Sequence, residues 1–159
     1  MQNRHNTGPK IFATGSPRNR PLLVASGHTP GGSVTPVATI EITEANFSAS
    51  VADEGIVLLD FWAPWCMPCN QFAPIYNDAS QRHADIAFGK VNTDENQKLA
   101  AGFGIKSLPT LIALSDGVVV YEKSGTLNGR QLDALITGIK AMDMDAVKAK
   151  INAALTSDA

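Results

Sequence analysis

The sequence predicts an α/β domain with a central mixed sheet flanked by helices. Three observations carry this. Apolar runs of strand length alternate along the chain with segments of helical periodicity. The run Ile56-Val57-Leu58-Leu59-Asp60-Phe61 is apolar except at Asp60, as in a strand covered on both faces. Ser115-Asp116-Gly117 joins two further strand-like runs, and Asp-Gly between alternating apolar residues signals an antiparallel hairpin. A length of 159 residues with 44% hydrophobic content suits one domain of about 100 residues plus appendages.

The elements follow in order. Val37–Ile42 alternates as an edge strand does, and Thr43 is placed to cap a short helix over Glu44–Val51, ended by Asp53-Glu54-Gly55. The central strand Ile56–Phe61 comes next. A helix is expected from Cys66 to about His83, with Phe72, Ile75, Tyr76 and Ala79 on its apolar face and a kink at Pro74, which has no backbone donor. Ile86–Asn92 reads as a strand, Gln97–Ala101 as a short helix stopped near Gly102 and Gly104, and Thr110–Leu114 and Val118–Lys123 as the hairpin. Asn128 caps a helix over Gly129–Lys140 whose Leu132, Leu135, Ile136 and Ile139 share a face. Beyond it, Asp143 or Asp145 is placed to cap a further helix with Met144, Val147, Ile151 and Leu155 on one stripe.

The chemistry concentrates in Trp62-Ala63-Pro64-Trp65-Cys66-Met67-Pro68-Cys69, which contains both cysteines of the chain. A helix beginning at Cys66 places its sulfur among unpaired backbone N–H groups at the positive end of the dipole, which favours thiolate. Cys69 lies one turn on, within reach of a small disulfide ring. A structural disulfide across two residues constrains the unfolded chain little. A zinc site would have only His5, His28 and His83 to add, so no metal is expected. Asp60 is an ionisable group in a run that reads as buried, where desolvation raises a carboxyl pKa unless it is paired; the other reading is a strand end touching solvent. Trp62 reads as structural. Trp65, beside Cys66 and flanked by Pro64, reads as partly exposed. His83 is expected to face solvent near the helix C-terminus.

These residues resemble the thioredoxin family. The likeness rests on Phe61 through Cys69, on Pro74, on Lys90 within Gly89-Lys90-Val91-Asn92-Thr93-Asp94, on Leu108-Pro109-Thr110-Leu111, and on Gly117 and Gly125. It spans roughly residues 38–141, and the order β-α-β-α-β-α-β-β-α is that of a thioredoxin fold. The resemblance implies a thiol–disulfide oxidoreductase that reduces protein disulfides, with Cys66 attacking and Cys69 resolving. It also implies that Asp60, with Lys90 nearby, takes the Cys69 proton, and that Pro109 is cis. Trp65, Met67, Pro68, Leu108, Pro109 and Gly125 would then meet the substrate. No bound cofactor is implied; electrons would come from an NADPH-dependent thioredoxin reductase. Partners would be that reductase and disulfide-containing proteins, and the chain is expected to be a monomer. Two departures stand out. Met67 replaces the usual glycine between the cysteines, which bears on redox potential, and Asn70 replaces a common lysine, which removes a steering charge. A disulfide oxidant or isomerase in an oxidising compartment, and a thioredoxin-like module that holds a dedicated partner, are the alternatives.

The formal net charge of −2 is uneven. Residues 1–40 hold Arg4, Lys10, Arg18 and Arg20 with no acid, +4, and the remaining 9 basic and 15 acidic residues give −6. A mildly acidic domain gives no footprint for nucleic acid, and no apolar run has membrane-spanning length. Residues 1–37, rich in Gly, Pro, Ser, Thr and Asn, read as a disordered extension. Pro21-Leu22-Leu23-Val24-Ala25 is too short for a secretory signal, whereas arginines without acids also suit an organellar transit peptide. A start upstream of the true one is a further reading, which would require a non-methionine codon such as Val34 or Val37. The division is therefore 1–37 extension, 38–141 domain, and 142–159 helical extension, in a cytoplasmic setting that two cysteines without a disulfide framework favour.

Overall fold

The computed structural model describes residues 38–51 and 54–157. The readings placed on residues 1–37, including the start of the first strand at Val37, lie outside that range.

The elements are β1 (Thr39–Glu41), α1 (Phe47–Val51), β2 (Ile56–Trp62), α2 (Met67–Arg82), β3 (Ala87–Asn92), α3 (Gln97–Gly102), β4 (Thr110–Ser115), β5 (Val118–Ser124), α4 (Gly129–Lys140) and α5 (Met144–Ser157). The sheet order is β1-β3-β2-β4-β5. β3 runs parallel to both β1 and β2, and β4 runs antiparallel to β2 and β5, so the sheet is mixed. β2 lies at its centre with a core cluster packed on each face, which is why its side chains are apolar on both faces apart from Asp60.

Alternation along β2 divides the core. Leu58 packs with Phe72, Tyr76 and Ala79 of α2, Phe88, Leu111, and Leu132, Ile136 and Ile139 of α4. Val57, Leu59 and Phe61 face the other way, with Ile42, Val91, Ile112 and Leu114, closed over by Phe47, Leu99 and Phe103.

Several boundaries differ from the sequence expectation for local reasons. Glu44–Asn46 form a turn rather than the first turn of α1: the Asn46 side chain accepts from the Thr43 amide at 2.8 Å while Thr43 Oγ1 accepts from the Asn46 amide at 3.3 Å. That reciprocal pair satisfies the amides before the helix begins. Cys66 and His83 are the caps of α2 rather than its first and last residues, and the helix continues through Pro74. The hairpin turn puts Asp116 at φ 49° and Gly117 at φ 76°, the paired left-handed conformations of a tight two-residue hairpin.

α5 forms as its periodicity predicts, with Asp143 accepting from the Ala146 amide at 3.1 Å. Met144 and Val147 are half-buried, whereas Ile151 and Leu155 of the same stripe are exposed. Lys148 ties the helix to Asp116 at 3.0 Å, and the Asp116 carboxylate also accepts from the Gly55 amide at 2.9 Å. Those two donors hold the Asp116 carboxyl below its ordinary pKa. No helix among the described residues is long and apolar enough to cross a membrane.

Candidate active site

Strand β2 delivers the chain to the site and α2 carries it away. Cys66 adopts an extended conformation at the N-cap, and its sulfur accepts from the Cys69 amide at 3.2 Å. The two cysteines form a disulfide with Cα atoms 5.3 Å apart. Both are buried, against Ala63, with Trp62 and Leu108 packed beside them. When the bond is reduced, the first-turn amides and the helix dipole remain aimed at Cys66, stabilising its thiolate.

Around the buried sulfurs the surface is apolar. Trp65 and Met67 are 70% and 69% exposed. The Trp65 ring is held by its Nε1–H, which donates to both Asp94 carboxylate oxygens at 3.1 and 3.3 Å. Beside it lies a hollow of about 200 Å³ lined by Thr93, Ile105, Lys106, Ser107 and Leu108. The Leu108–Pro109 peptide is cis. The Pro109 carbonyl accepts from the Gly125 amide at 2.8 Å, and Gly125 takes φ 98°, a conformation that favours glycine. Thr110 Oγ1 donates to the Ser107 carbonyl at 2.7 Å, which closes the loop from the other side.

Asp60 lies on β2, the strand that leads into the cysteine segment. It is fully buried on the face of β2 that α2 covers, and neither carboxylate oxygen has a hydrogen-bond partner among the described residues. Burial raises its pKa to about 7, against a smaller lowering by the Lys90 charge. Lys90 is its register neighbour on β3, with Nζ 4.9 Å from the centre of the Trp62 ring. Lys90 and Trp62, with Glu41, Asn92 and Glu95, border a second hollow of about 360 Å³. A further hollow, about 380 Å³ beside Ser80 and Ile86, is at the other end of α2 and has no part in this arrangement. Among the described residues no group of three or more His, Cys, Asp or Glu is placed to hold a metal ion.

The structure thus pairs Asp60 with Lys90 in the register of β2 and β3, joins Cys66 to Cys69 at the head of α2 with Pro68 in its first turn and Leu108 packed beside them, leaves Trp65 and Met67 exposed, and bonds Gly125 to the Pro109 carbonyl. Asp94 escaped the sequence reading as a partner of Trp65, since no local pattern links residues 29 apart. His83 departs from its expectation: it is largely covered, because its Nε2 lies 2.8 Å from Asp133 on α4.

A disulfide-forming cysteine pair at the head of a helix, with a buried carboxyl on the strand that leads into it, defines a thiol–disulfide oxidoreductase. The thioredoxin family model matches residues 38–141, and the chain belongs to the thioredoxin family. It is 42% identical over 111 residues to a putative thioredoxin 2 of Streptomyces coelicolor, covering 70% of this chain and 83% of that protein. It is 41% identical over 101 residues to the thioredoxin of Bacillus subtilis, covering 63% and 96%. Among solved structures, a mutant thioredoxin of Halobacterium salinarum superposes with a TM-score of 0.61 at 31% identity, covering 67% of this chain and 95% of that one. The chain is accordingly a protein-disulfide reductase of the thioredoxin type.

Proposed function

We propose that this chain is an electron carrier that reduces disulfides in protein substrates through Cys66 and Cys69. The Cys66 thiolate attacks a substrate sulfur, forming an S–S bond to it while the substrate disulfide breaks, and the departing thiolate takes a proton. Cys69 then loses its proton to Asp60 and attacks Cys66, which releases the second substrate thiolate and leaves the Cys66–Cys69 disulfide. Two electrons have passed to the substrate. Lys90 stabilises the charged form of Asp60. Trp65, Met67, Pro68, Leu108, Pro109 and Gly125 receive an extended substrate segment, with backbone pairing beside Pro109. Reduction of the disulfide falls to an NADPH-dependent thioredoxin reductase, and the carrier works without a bound cofactor, as a cytoplasmic monomer serving redox homeostasis.

The observation that carries this reading is the Cys66–Cys69 disulfide at the α2 N-cap, next to the cis Leu108–Pro109 loop. NADPH consumption with a thioredoxin reductase and a disulfide-bonded protein substrate tests it. Wild type is expected to turn over, Cys66→Ser to be inactive, and Cys69→Ser to accumulate a mixed disulfide with the substrate. Turnover by Cys66→Ser would refute the assignment.

A further inference from the structure

Among the described residues Tyr76 is the largest side chain buried without any exposure, and its hydroxyl reaches two strands at once. It lies 2.8 Å from the Gly89 carbonyl on β3 and 3.1 Å from the Leu58 carbonyl on β2. With one proton to donate, it serves both acceptors as a shared bond. The carbonyl of Gly89 belongs to the peptide whose nitrogen is that of Lys90, and Leu58 precedes Asp60 by two residues on the same face. The hydroxyl thus straddles β2 and β3 two residues before Asp60 on one strand and one before Lys90 on the other, where those two residues are register partners.

Two features make such a restraint consequential here. Position 89 is glycine because a Cβ would stand 2.6 Å from Ile42 Cγ1 on the opposite face, and glycine leaves the peptide before Lys90 with more backbone freedom. Pro74, two residues before Tyr76, removes a helix donor between the cysteine-bearing turn and the rest of α2. Phe72 and Phe88 hold the phenol ring, with centroids 5.7 and 5.2 Å away.

We propose that Tyr76 is a positioning residue for the redox reaction: its hydroxyl holds the Gly89–Lys90 peptide against β2, and so fixes how strongly the Lys90 charge acts on Asp60. The proposal rests on the roles given above to Asp60 and Lys90. The titratable and charged groups that interact with Asp60 are Lys90 from β3 and Tyr76 from α2; the β4 residue opposite it is Leu111.

A double-mutant cycle read on a titration separates this role from a merely structural one. The Asp60 carboxyl is followed by NMR against pH in wild type, Lys90→Met, Tyr76→Phe and the double variant, with the mixed-disulfide resolution rate measured across the same range. Lys90→Met is expected to raise the Asp60 midpoint in the wild-type background and to raise it by no more than about half as much in the Tyr76→Phe background, because coupled sites are not additive. The pH profile of resolution is expected to follow the Asp60 midpoint in each variant. An equal displacement in both backgrounds overturns the role of Tyr76 while leaving Asp60 and Lys90 intact. No displacement by Lys90→Met in wild type overturns the underlying assignment of Lys90 instead, and the proposal with it. If Tyr76→Phe is marginal, the cycle is run in sucrose, which favours the compact state without screening charge. A Tyr76→Phe variant that fails to fold even there makes the hydroxyl purely structural and also overturns the proposal.

Discussion

Asp60 carries a proton in the folded protein that the unfolded chain releases at much lower pH. Its folded pKa of about 7 stands above the ordinary 3.8 because burial penalises the carboxylate more than Lys90 stabilises it. The folded state therefore binds more protons than the unfolded state between those values. Stability falls as pH rises through that window and levels off above it, by up to about 4 kcal/mol from this group alone. Asp60→Asn removes the titration but leaves a buried amide without assured partners, so the net gain at pH 8 is expected to be about 2 kcal/mol, vanishing near pH 5. Denaturant melts of the oxidised protein at the two pH values check this; an equal effect at both would contradict a raised Asp60 pKa. The same variant is expected to slow resolution by Cys69 above pH 7 while leaving the first attack by Cys66 largely intact, and single-turnover kinetics separate the two steps. Met67 belongs to the same scale. Its side chain is 69% exposed, so it has little means of acting on the disulfide through packing. Met67→Gly should shift the reduction potential by less than about 30 mV, the equivalent of a tenfold change in equilibrium, while raising KM for protein substrates. A larger shift measured against glutathione buffers would show that Met67 acts on the couple itself.

At the scale of elements, the helices are held by different means. α4 has a full capping box: Asn128 Oδ1 accepts from the Gln131 amide at 2.9 Å, and Gln131 Oε1 accepts from the Asn128 amide at 3.0 Å. It also buries Leu132, Ile136 and Ile139 against α2 and the sheet. Asn128→Ala is expected to cost about 1 kcal/mol, and Leu132→Ala about 2–5 kcal/mol by opening a cavity, each readable from a shift in denaturant midpoint. α2 is clamped at its C-terminal end by Arg82 and His83 reaching Asp133, and in its middle by Tyr76. Only its first turn is left to do chemistry. There the sequence was informative, because two cysteines three positions apart after a buried strand define a reactive helix start. The cap was less legible: whether Cys66 is the first helical residue or the residue before it depends on a sulfur–amide contact that no periodicity encodes.

At the scale of the whole molecule, α5 is the least committed part. Met144 and Val147 are half-buried, Lys148 meets Asp116 at the β4–β5 turn, and everything from Ala149 to Ser157 is exposed. The ion pair joins groups that remain partly open to water and adds little. Truncation after Asp143 is expected to leave disulfide reduction unchanged and to cost only about 1 kcal/mol, from the partial burial of two side chains. A thermal melt and a turnover assay check both halves, and a large loss in either would assign α5 a role in the domain.

The chain's own pattern was enough for the order and kind of every element from β1 to α5, the hairpin at Asp116-Gly117, and the candidate pair Cys66 and Cys69. Each of these depends on neighbours a few residues apart, and local spacing encodes them. Family resemblance, rather than spacing, supplied the expectation that Pro109 is cis and that Asp60 and Lys90 belong together. The tertiary structure alone decided the rest. It placed Asp94 on the Trp65 ring, His83 on Asp133, Tyr76 across two strands, and half the α5 stripe in solvent. All four are contacts, or missing contacts, between residues distant in sequence, and they are set by how helices settle on the sheet. The charge state of Asp60 has the same origin, since a carboxyl's pKa follows from what surrounds it once the chain has closed.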